Sequence, residues 1–299
     1  MFGPHADRVH AVAAGNKKGR PSITAHIQAA RAAAASVDFD ARSFQVFVAG
    51  PRNMSMTLRE EEADELRAFL DTNHRLQVVA HGTYGDYPWY GAPYPAKFIR
   101  MELEACERAG ISGLVVHLGK PGVAEVMKYI PRLVTTARGV LIFLETPAVK
   151  PASSNYETPE KLATLFGAIR TIDPTLCKFG LCIDTAHLWS CGVDLSSFED
   201  AEEWIRRLEA VADVIPPDRI MLHLNDSLEA CGDGVDSHAP LLAGHMWGAY
   251  ADRPQQSGLA AFVDYAVRNG TTVILERKPP EALLEDYAVI DRLTDTVRL

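Results

Sequence analysis

The sequence predicts a TIM (β/α)8 barrel formed by residues 1–299 as a single domain. Short apolar runs typical of buried strands alternate with amphipathic helical patterns along the whole chain, without a linker or low-complexity stretch. Six of the runs also carry a histidine, aspartate or glutamate at or near their far end. In a TIM barrel the carboxyl ends of the strands meet at one mouth, where catalytic residues gather.

Eight runs have the character of buried strands. They cover residues 44–49, 76–82, 113–119, 139–146, 179–185, 219–225 and 272–277, with a shorter and weaker candidate around 2–5. A doubly wound open sheet is the competing architecture. However, no G-x-G-x-x-G motif follows the first strand and no G-x-x-x-x-G-K-[ST] motif occurs, so the sequence favours the barrel.

The segments between the strands carry helix signals. Thr57 and Glu60 have the spacing of a capping box before LREEEADELRAFL, and a second helix is predicted from Pro95 to Gly110. Thr158 precedes a proline that can open a further helix. Two amphipathic stripes that would pack on a sheet follow: Leu162, Leu165, Phe166 and Ile169, then Trp204, Ile205, Leu208 and Val211.

The polar run ends indicate a metal centre. They are QVVAH at His81, LVVH at His117, VLIFLE at Glu145, LCID at Asp184, MLH at His223 and VILE at Glu276. A charge or imidazole left unpaired at the edge of a core costs several kcal/mol, roughly, or is neutralised. One such residue alone is more often a hydrogen-bonded edge residue. All six at one mouth are better explained by a shared metal centre.

Three further residues extend the candidate ligand set to nine. His187 follows Asp184 by three residues in CIDTAH, and Asp236 and His238 form a D-x-H pair that could grip one ion. Histidine and carboxylate ligands without cysteine are typical of catalytic zinc, manganese or iron sites. Because a single catalytic zinc takes three protein ligands and a water, nine ligands suit a cluster of two or three ions.

Seven short segments occur in an order that is familiar from one family. They are AHGTY (80–84), HLG (117–119), LET (144–146), CIDTAH (182–187), HLNDS (223–227), VDSH (235–238) and ILE (274–276). On these segments, over nearly all of its length, the chain resembles the endonuclease IV family of abasic-site DNA repair nucleases. Members of that family are TIM barrels with a trinuclear zinc site.

The resemblance implies a distribution of the ligands among three Zn²⁺ ions, with Mn²⁺ as a substitute. One zinc would be held by His81, His117 and Glu145; a second by Glu145, Asp184, His223 and Glu276; and a third by His187, Asp236 and His238. The implied reaction is hydrolysis of the phosphodiester 5′ to an abasic site, leaving a 3′-OH and a 5′-deoxyribose phosphate. Glu145 would bridge two metals that generate a hydroxide, and Glu276 would position it.

The expected partner is double-stranded DNA that contains abasic sites, with no membrane and no obligate protein partner. By resemblance, Arg52 in AGPRN belongs to a DNA-penetrating loop and Tyr84 works in the gap left by the flipped-out nucleotide. Gly85 stands where bacterial members carry a larger apolar residue. The aromatic residues of GDYPWYGAPY, Trp89 among them, could supply stacking instead.

The bulk composition sets further limits. The net charge of -9 argues against a nucleic-acid partner unless bound metals or a local basic cluster offset it. Five cysteines without C-x-x-C spacing are expected to be core residues rather than a disulfide framework. No apolar run reaches the roughly 18 residues of a membrane span, and no secretion signal is recognisable, so we expect a soluble, intracellular protein.

The main alternative is a metal-dependent sugar isomerase or epimerase of the xylose-isomerase-like barrels. Such enzymes share the quartet represented here by Glu145, Asp184, His223 and Glu276, and the acidic net charge favours them. The other five candidate ligands, which a one- or two-metal isomerase does not need, favour the nuclease. A protein in which the metals only brace the structure is less consistent with ligands at an open barrel mouth.

Overall fold

The predicted barrel is confirmed by a computed structural model that describes residues 2–4, 21–52, 54–84, 89, 93–137, 139–277 and 283–297. Its strands are β1 (Phe2–Pro4), β2 (Ser43–Phe47), β3 (Gln77–His81), β4 (Gly113–His117), β5 (Leu141–Glu145), β6 (Phe179–Asp184), β7 (Ile220–His223), β8 (Asp226–Ser227), β9 (His238–Ala239) and β10 (Thr272–Leu275). Seven of the eight predicted runs contain a whole strand of the barrel, and the run at 44–49 overlaps β2, which begins one residue earlier at Ser43.

The barrel sheet is parallel and runs in the order β1-β10-β7-β6-β5-β4-β3-β2. The two outer strands of that order, β1 and β2, contact each other, which brings the ends of the sheet together. Strands β8 and β9 form a separate antiparallel pair at the mouth. Across the barrel strands, His117 is paired with Glu145 and Asp184 with His223.

Helices connect the strands, and they pack on the outside of the barrel except for the helix Thr185–Ser190, which lies at the mouth. They are α1 (Ile23–Ala35), α2 (Glu60–Thr72), α3 (Pro93–Ala109), α4 (Val123–Val126), α5 (Ile130–Thr136), α6 (Pro159–Ile169), α7 (Thr185–Ser190), α8 (Phe198–Glu209), α9 (Gly258–Asn269) and α10 (Leu284–Val297). Short 3-10 turns lie at Pro151–Ser153, Pro217–Arg219, Gly248–Tyr250 and Pro254–Gln256. None of the helices in the described part of the chain is long and apolar enough to cross a membrane.

The helix starts follow local chemistry, with one correction. Thr158 caps α6 as predicted, since its hydroxyl accepts from the backbone N–H of Lys161. The predicted capping box at Thr57 is wrong. Helix α2 begins at Glu60, and Glu62 accepts instead from the backbone N–H of Arg59 at 3.2 Å. The Thr57 N–H donates to Val48 of the preceding loop, so Thr57 belongs to that loop.

The barrel has two hydrophobic layers because strand side chains alternate between its outside and its inside. The outer layer packs strand residues such as Phe44 and Val46 against the helices. The inner layer consists of Val79, Val115, Phe143, Cys182, Met221 and Ile274. The Phe143 ring fits there because glycines flank it on the neighbouring strands: a Cβ on Gly113 or Gly180 would lie within 2.6 Å of the ring.

Candidate metal centre

The structure brings all nine candidate ligands to the carboxyl end of the barrel. His81, His117, Glu145, Asp184 and His223 are each the last residue of their strand, and Glu276 follows the last residue of β10. The other three lie on the elements that continue from the strands: His187 on α7, Asp236 before β9, and His238 at the start of β9. Their donor atoms form three overlapping groups.

The first group joins two histidines to one carboxylate. Glu145 Oε2 lies 2.9 Å from His117 Nε2 and 3.3 Å from His81 Nε2, and the two imidazole nitrogens are 3.1 Å apart. His81 and Glu145 are buried, and His117 is mostly so. The three donor atoms therefore form a small triangle at the carboxyl end of the barrel.

The second group shares Glu145 with the first. Its other oxygen, Oε1, lies 3.0 Å from His223 Nδ1. The same nitrogen lies 3.4 Å from Glu276 Oε2 and 3.7 Å from Asp184 Oδ2. Glu145 thus faces both groups with one oxygen each, which is the arrangement of a bridging carboxylate.

The third group contains the D-x-H pair. Asp236 Oδ1 lies 3.1 Å from His238 Nε2 and 3.3 Å from His187 Nε2. Asp184 Oδ2 also approaches these two nitrogens, at 3.6 and 4.0 Å. Asp184 therefore connects the second and third groups, a link that the sequence motifs do not reveal.

Local structure explains the spacing in CIDTAH. Asp184 ends β6 and caps α7, where its Oδ1 accepts from the backbone N–H of His187 at 3.0 Å. The side chain of Asn225 also donates to Asp184 Oδ2 at 2.8 Å. One turn of helix after the strand thereby places two ligands, three residues apart, on the same side.

The loop after the D-x-H pair is anchored by Asp226. This buried carboxylate accepts from four backbone N–H groups: Ser227 at 2.8 Å, Gly244 at 3.0 Å, Met246 at 3.1 Å and Trp247 at 3.3 Å. Ser227 in turn pairs with His238 across β8 and β9. The 239–248 loop is thus fastened to HLNDS, and the pairing of Ser227 with His238 places His238 beside it.

In two histidines, the ring nitrogen that points away from the cluster, Nδ1, forms a hydrogen bond with a backbone carbonyl oxygen. His81 Nδ1 faces the carbonyl of Gly82 at 2.6 Å, and His187 Nδ1 faces the carbonyl of Thr146 at 2.8 Å. A carbonyl oxygen accepts, so these nitrogens donate and the opposite Nε2 atoms present lone pairs to the centre. Metal-ligating histidines commonly have such an outer partner, which fixes the tautomer.

The electrostatics of the cluster are those of a site made for cations. Burial alone would lower the pKa of His223 and His187, but the surrounding acidic groups raise both well above the ordinary value. Burial alone would raise the pKa of Glu145, but His117 and His223 hold it well below its usual range. Protons or metal ions are needed to balance this concentration of negative charge.

The polar atoms left without partners test whether metals fit. Among the described residues, Glu145 Oε2, His187 Nε2 and His238 Nε2 are buried and make no hydrogen bond. One belongs to the first group and two to the third, and all point at other candidate ligands. Buried polar atoms normally have partners, so divalent ions at these positions would satisfy atoms that the protein leaves unpaired.

Two polar residues of the site were missed by the sequence reasoning. Gln45 on β2 and Asn225 after β7 are fully buried and hydrogen-bond to Glu276, at 2.7 and 3.3 Å. The signal for Gln45 was a glutamine inside the apolar strand SFQVF. For Asn225 it was an amide shortly after a strand whose last residue is a ligand candidate.

Two of the three candidate DNA contacts, Arg52 and Tyr84, lie at the barrel mouth. Arg52 is exposed, and its neighbour Pro51 accepts from the backbone N–H of Tyr84 at 2.8 Å, so the two residues share one rim of the mouth. Tyr84 is 40% exposed, and its ring centroid is 5.2 Å from that of His81. A cavity of about 300 Å³ opens here, lined by Tyr84, His117, Gly119, Lys120, Pro147, Ala148, Val149 and Asp236.

The suggestion that Trp89 stacks on a base is wrong. Its side chain is only 1% exposed, and its indole N–H donates to the carbonyl of His117 at 3.2 Å. The ring packs in the hydrophobic core and supports the strand end that carries His117. Gly85 and the other aromatic residues of GDYPWYGAPY up to residue 92 lie outside the described residues.

The cysteine expectation holds for three of the five residues. Cys106, Cys182 and Cys191 are buried, whereas Cys177 and Cys231 are exposed, because they lie in surface turns. Cys182 lies within reach of Glu145 and His223, so it is geometrically a further candidate donor. Burial raises the pKa of its thiol to about 12, and it packs in the inner layer as a neutral side chain.

Fold and site together define a TIM barrel whose candidate metal ligands gather at the carboxyl ends of the strands. A family model described as xylose isomerase-like TIM barrel, that of the AP endonucleases, matches residues 32–293. The chain belongs to this family, and the resemblance to endonuclease IV is confirmed.

The relatives agree with this placement. A probable AP endonuclease of African swine fever virus, isolate Tick/South Africa/Pretoriuskop Pr4/1996, is 43% identical over 242 residues, which are 81% of this chain and 80% of the viral one. The crystal structure of AsfvAP:AG is 38% identical, covers 98% of both chains and has a TM-score of 0.88. Endonuclease IV from Thermus thermophilus covers 99% of this chain and 98% of its own at 24% identity and a TM-score of 0.68, which shows the fold alone.

Proposed function

We propose that this protein is a metal-dependent DNA repair endonuclease that hydrolyses the phosphodiester 5′ to an abasic site, leaving a 3′-OH and a 5′-deoxyribose phosphate. The observation that carries the proposal is the convergence of His81 Nε2, His117 Nε2 and Glu145 Oε2 within 3.3 Å. Neutral imidazole lone pairs and a carboxylate repel one another at such distances unless a cation or proton lies among them. The AP endonuclease relatives supply the reaction class.

Three Zn²⁺ ions, or Mn²⁺ in their place, fit the three groups. His81, His117 and Glu145 would hold one; Glu145, Asp184, His223 and Glu276 a second; and His187, Asp236 and His238 a third. Bound at these positions, the ions would supply a hydroxide near neutral pH and neutralise charge on the phosphate.

The chain's own residues orient this chemistry. Glu145 presents one oxygen to each of two groups, so it fixes their separation. Both oxygens of Glu276 are held, Oε1 by Gln45 and Oε2 by Asn225, which leaves the carboxylate no freedom to rotate. A carboxylate held this way at the mouth is suited to accept a hydrogen bond from the attacking water and aim it at phosphorus.

Arg52 and Tyr84 are proposed to contact DNA at the rim. Each phosphate contact by a basic side chain releases counterions. Arg52→Ala should therefore weaken binding to all sequences and reduce the slope of log Kd against log salt concentration by about 0.9, the value for one phosphate contact. Tyr84→Ala should weaken binding to abasic DNA more than to undamaged duplex, since its ring borders the cavity. Fluorescence anisotropy at several salt concentrations measures both effects.

The sugar-isomerase alternative shares only the second group. It gives no reason for His81 and His117 to meet Glu145 Oε2, or for Asp236 to lie within 3.3 Å of both His187 and His238. We propose instead that residues 1–299 act as one barrel domain and that all three groups take part in DNA cleavage. A structural role for the metals is disfavoured because His117 of the first group and Asp236 of the third line a cavity at the barrel mouth, whereas structural metal sites are closed.

The deciding experiment incubates the metal-loaded protein with a labelled duplex that carries one stable abasic analogue, beside an undamaged duplex. We expect one cut just 5′ of the lesion, lost after prolonged chelation and restored by Zn²⁺ or Mn²⁺. Glu276→Gln should remove cleavage while retaining binding, and Glu104→Gln, a largely exposed glutamate on α3, is the matched control.

Two outcomes would count against the proposal. Cleavage that survives Glu276→Gln in full would remove that residue from the machinery. A protein that binds metal but cuts no abasic duplex would return attention to aldose and ketose substrates, which a screen by product analysis would test.

A further inference from the structure

Gln45 is a polar residue in apolar surroundings. It lies in the middle of β2, faces the inside of the barrel beside Val79 of β3 and is fully buried. The described residues of the inner layer around it are Val79, Val115, Phe143, Cys182, Met221 and Ile274. Burying an amide without hydrogen bonds costs several kcal/mol, roughly, so this glutamine needs partners inside the barrel.

Both ends of the Gln45 amide contact candidate metal ligands. Its Nε2 donates to Glu276 Oε1 at 2.7 Å, and its Oε1 lies 2.8 Å from His223 Nε2. These two ligands come from different strands, β7 and the end of β10. One side chain inside the barrel therefore connects two residues of the second group, Glu276 and His223.

The chemistry of the partners fixes the direction of every bond. An ionised carboxylate only accepts, so the amide NH₂ must face Glu276 and the amide oxygen must face His223. That oxygen can pair only with an N–H, so His223 carries its proton on Nε2. Its Nδ1 then faces Glu145 Oε1, Glu276 Oε2 and Asp184 Oδ2, at 3.0, 3.4 and 3.7 Å, and would present its lone pair to a cation bound among them.

We infer that Gln45 is a positioning residue that sets the tautomer of His223 and the orientation of Glu276, and thereby the affinity of the second group for a divalent cation. The inference rests on the proposed metal centre, but it concerns metal binding rather than DNA cleavage. Changes to groups that orient metal ligands typically lower metal affinity by about 10–100-fold. Gln45→Met should have an effect of this size on one ion per protein.

The test uses zinc titration of chelator-stripped, redialysed protein in competition with a chromophoric chelator, with metal content measured by mass spectrometry. Gln45→Met keeps the length of the side chain and removes both hydrogen bonds. We expect one weaker site and an altered Co²⁺ absorption spectrum, with the other ions retained. The matched control is Gln77→Met. Gln77 opens β3, at the far end of that strand from His81, and it bonds to Thr272.

The outcomes separate this inference from the proposed function. Equal zinc affinities and Co²⁺ spectra in wild type and Gln45→Met would overturn it, and so would an equal loss in Gln77→Met. If the wild type binds zinc but cuts no abasic DNA, the proposed function fails while the titration still decides the role of Gln45. A wild type that binds no zinc overturns both.

A second measurement covers the case in which Gln45→Met does not fold. Long-range ¹H–¹⁵N correlation spectra of zinc-loaded, histidine-labelled wild type report which ring nitrogen of His223 is protonated, with the signal assigned by its loss in His223→Gln. A protonated Nε2 with a metal-bound Nδ1 supports the inference. A protonated Nδ1 would overturn it.

Discussion

Glu102 gives a quantitative prediction about stability and pH. Its carboxyl group lies on α3 and is 1% exposed. Oε1 accepts from the backbone N–H and the hydroxyl of Thr83, both at 3.1 Å, whereas Oε2 has no hydrogen-bond partner among the described residues. Burial raises the pKa of this carboxyl from 4.5 to about 7. The charged form is therefore disfavoured in the folded protein.

The direction of the pH effect follows from proton linkage. Between the two pKa values, the folded protein holds a proton on Glu102 that the unfolded chain has already lost. Its contribution to stability is therefore greatest below pH 4.5, falls as the pH rises towards 7, and is constant above that. At about 1.4 kcal/mol for each pH unit, the full loss is about 3 kcal/mol, of which about 2.5 kcal/mol falls between pH 5 and pH 8.

Glu102→Gln removes the titration but keeps an oxygen that can accept from Thr83. The free energy of unfolding of the variant, relative to wild type, should rise by about 2.5 kcal/mol from pH 5 to pH 8. Urea denaturation of both proteins at equal metal content measures this. Any fixed cost of burying the amide NH₂ cancels in the comparison between the two pH values.

The matched control is Glu104→Gln, a largely exposed glutamate on the same helix. Because Glu104→Gln leaves Glu102 in place, the loss of stability assigned to Glu102 between pH 5 and pH 8 should remain in this variant. The reasoning about Glu102 would be refuted by a Glu102→Gln difference that stays constant, or that decreases, as the pH rises.

Three further predictions follow from other parts of the structure. Glu145→Gln should reduce the zinc content by more than one ion per protein, because this carboxylate faces two groups; metal analysis after dialysis measures it. Asp226→Asn should destabilise the protein by about 2–4 kcal/mol in urea denaturation, since an amide cannot accept from all four N–H donors. Gly258→Ala should cost about 1–3 kcal/mol or more, because the new Cβ would overlap the Leu195 carbonyl.

Control variants accompany two of these predictions, and a contradicting outcome is defined for the third. Gly167→Ala, in α6 with no atom within 4 Å of the new Cβ, should instead stabilise by up to about 1 kcal/mol. His238→Gln should remove fewer zinc ions than Glu145→Gln, so equal losses would contradict the bridging role of Glu145. An Asp226→Asn variant as stable as wild type would show that the backbone donors find other partners.

Much of the fold could be predicted because strands and helices depend on local patterns. Each of the eight runs overlaps one of the eight barrel strands, and the Thr158–Pro159 helix start is where the sequence places it. The failure at Thr57 has a local cause. Its backbone N–H bonds to Val48, a partner in the preceding loop, and that contact outweighs the capping pattern.

The nine residues that meet at the candidate metal centre could be named from the sequence, because each ends a strand or follows one within a short motif. Their combination into three groups could not. The folded chain places Asp184 between two groups, Trp89 in the core, and Gln45 in a bond with Glu276 from 231 residues away. The physical reason is barrel geometry: curvature and stagger of the strands bring β2 against β10, and no local pattern encodes which buried polar atoms meet across that seam.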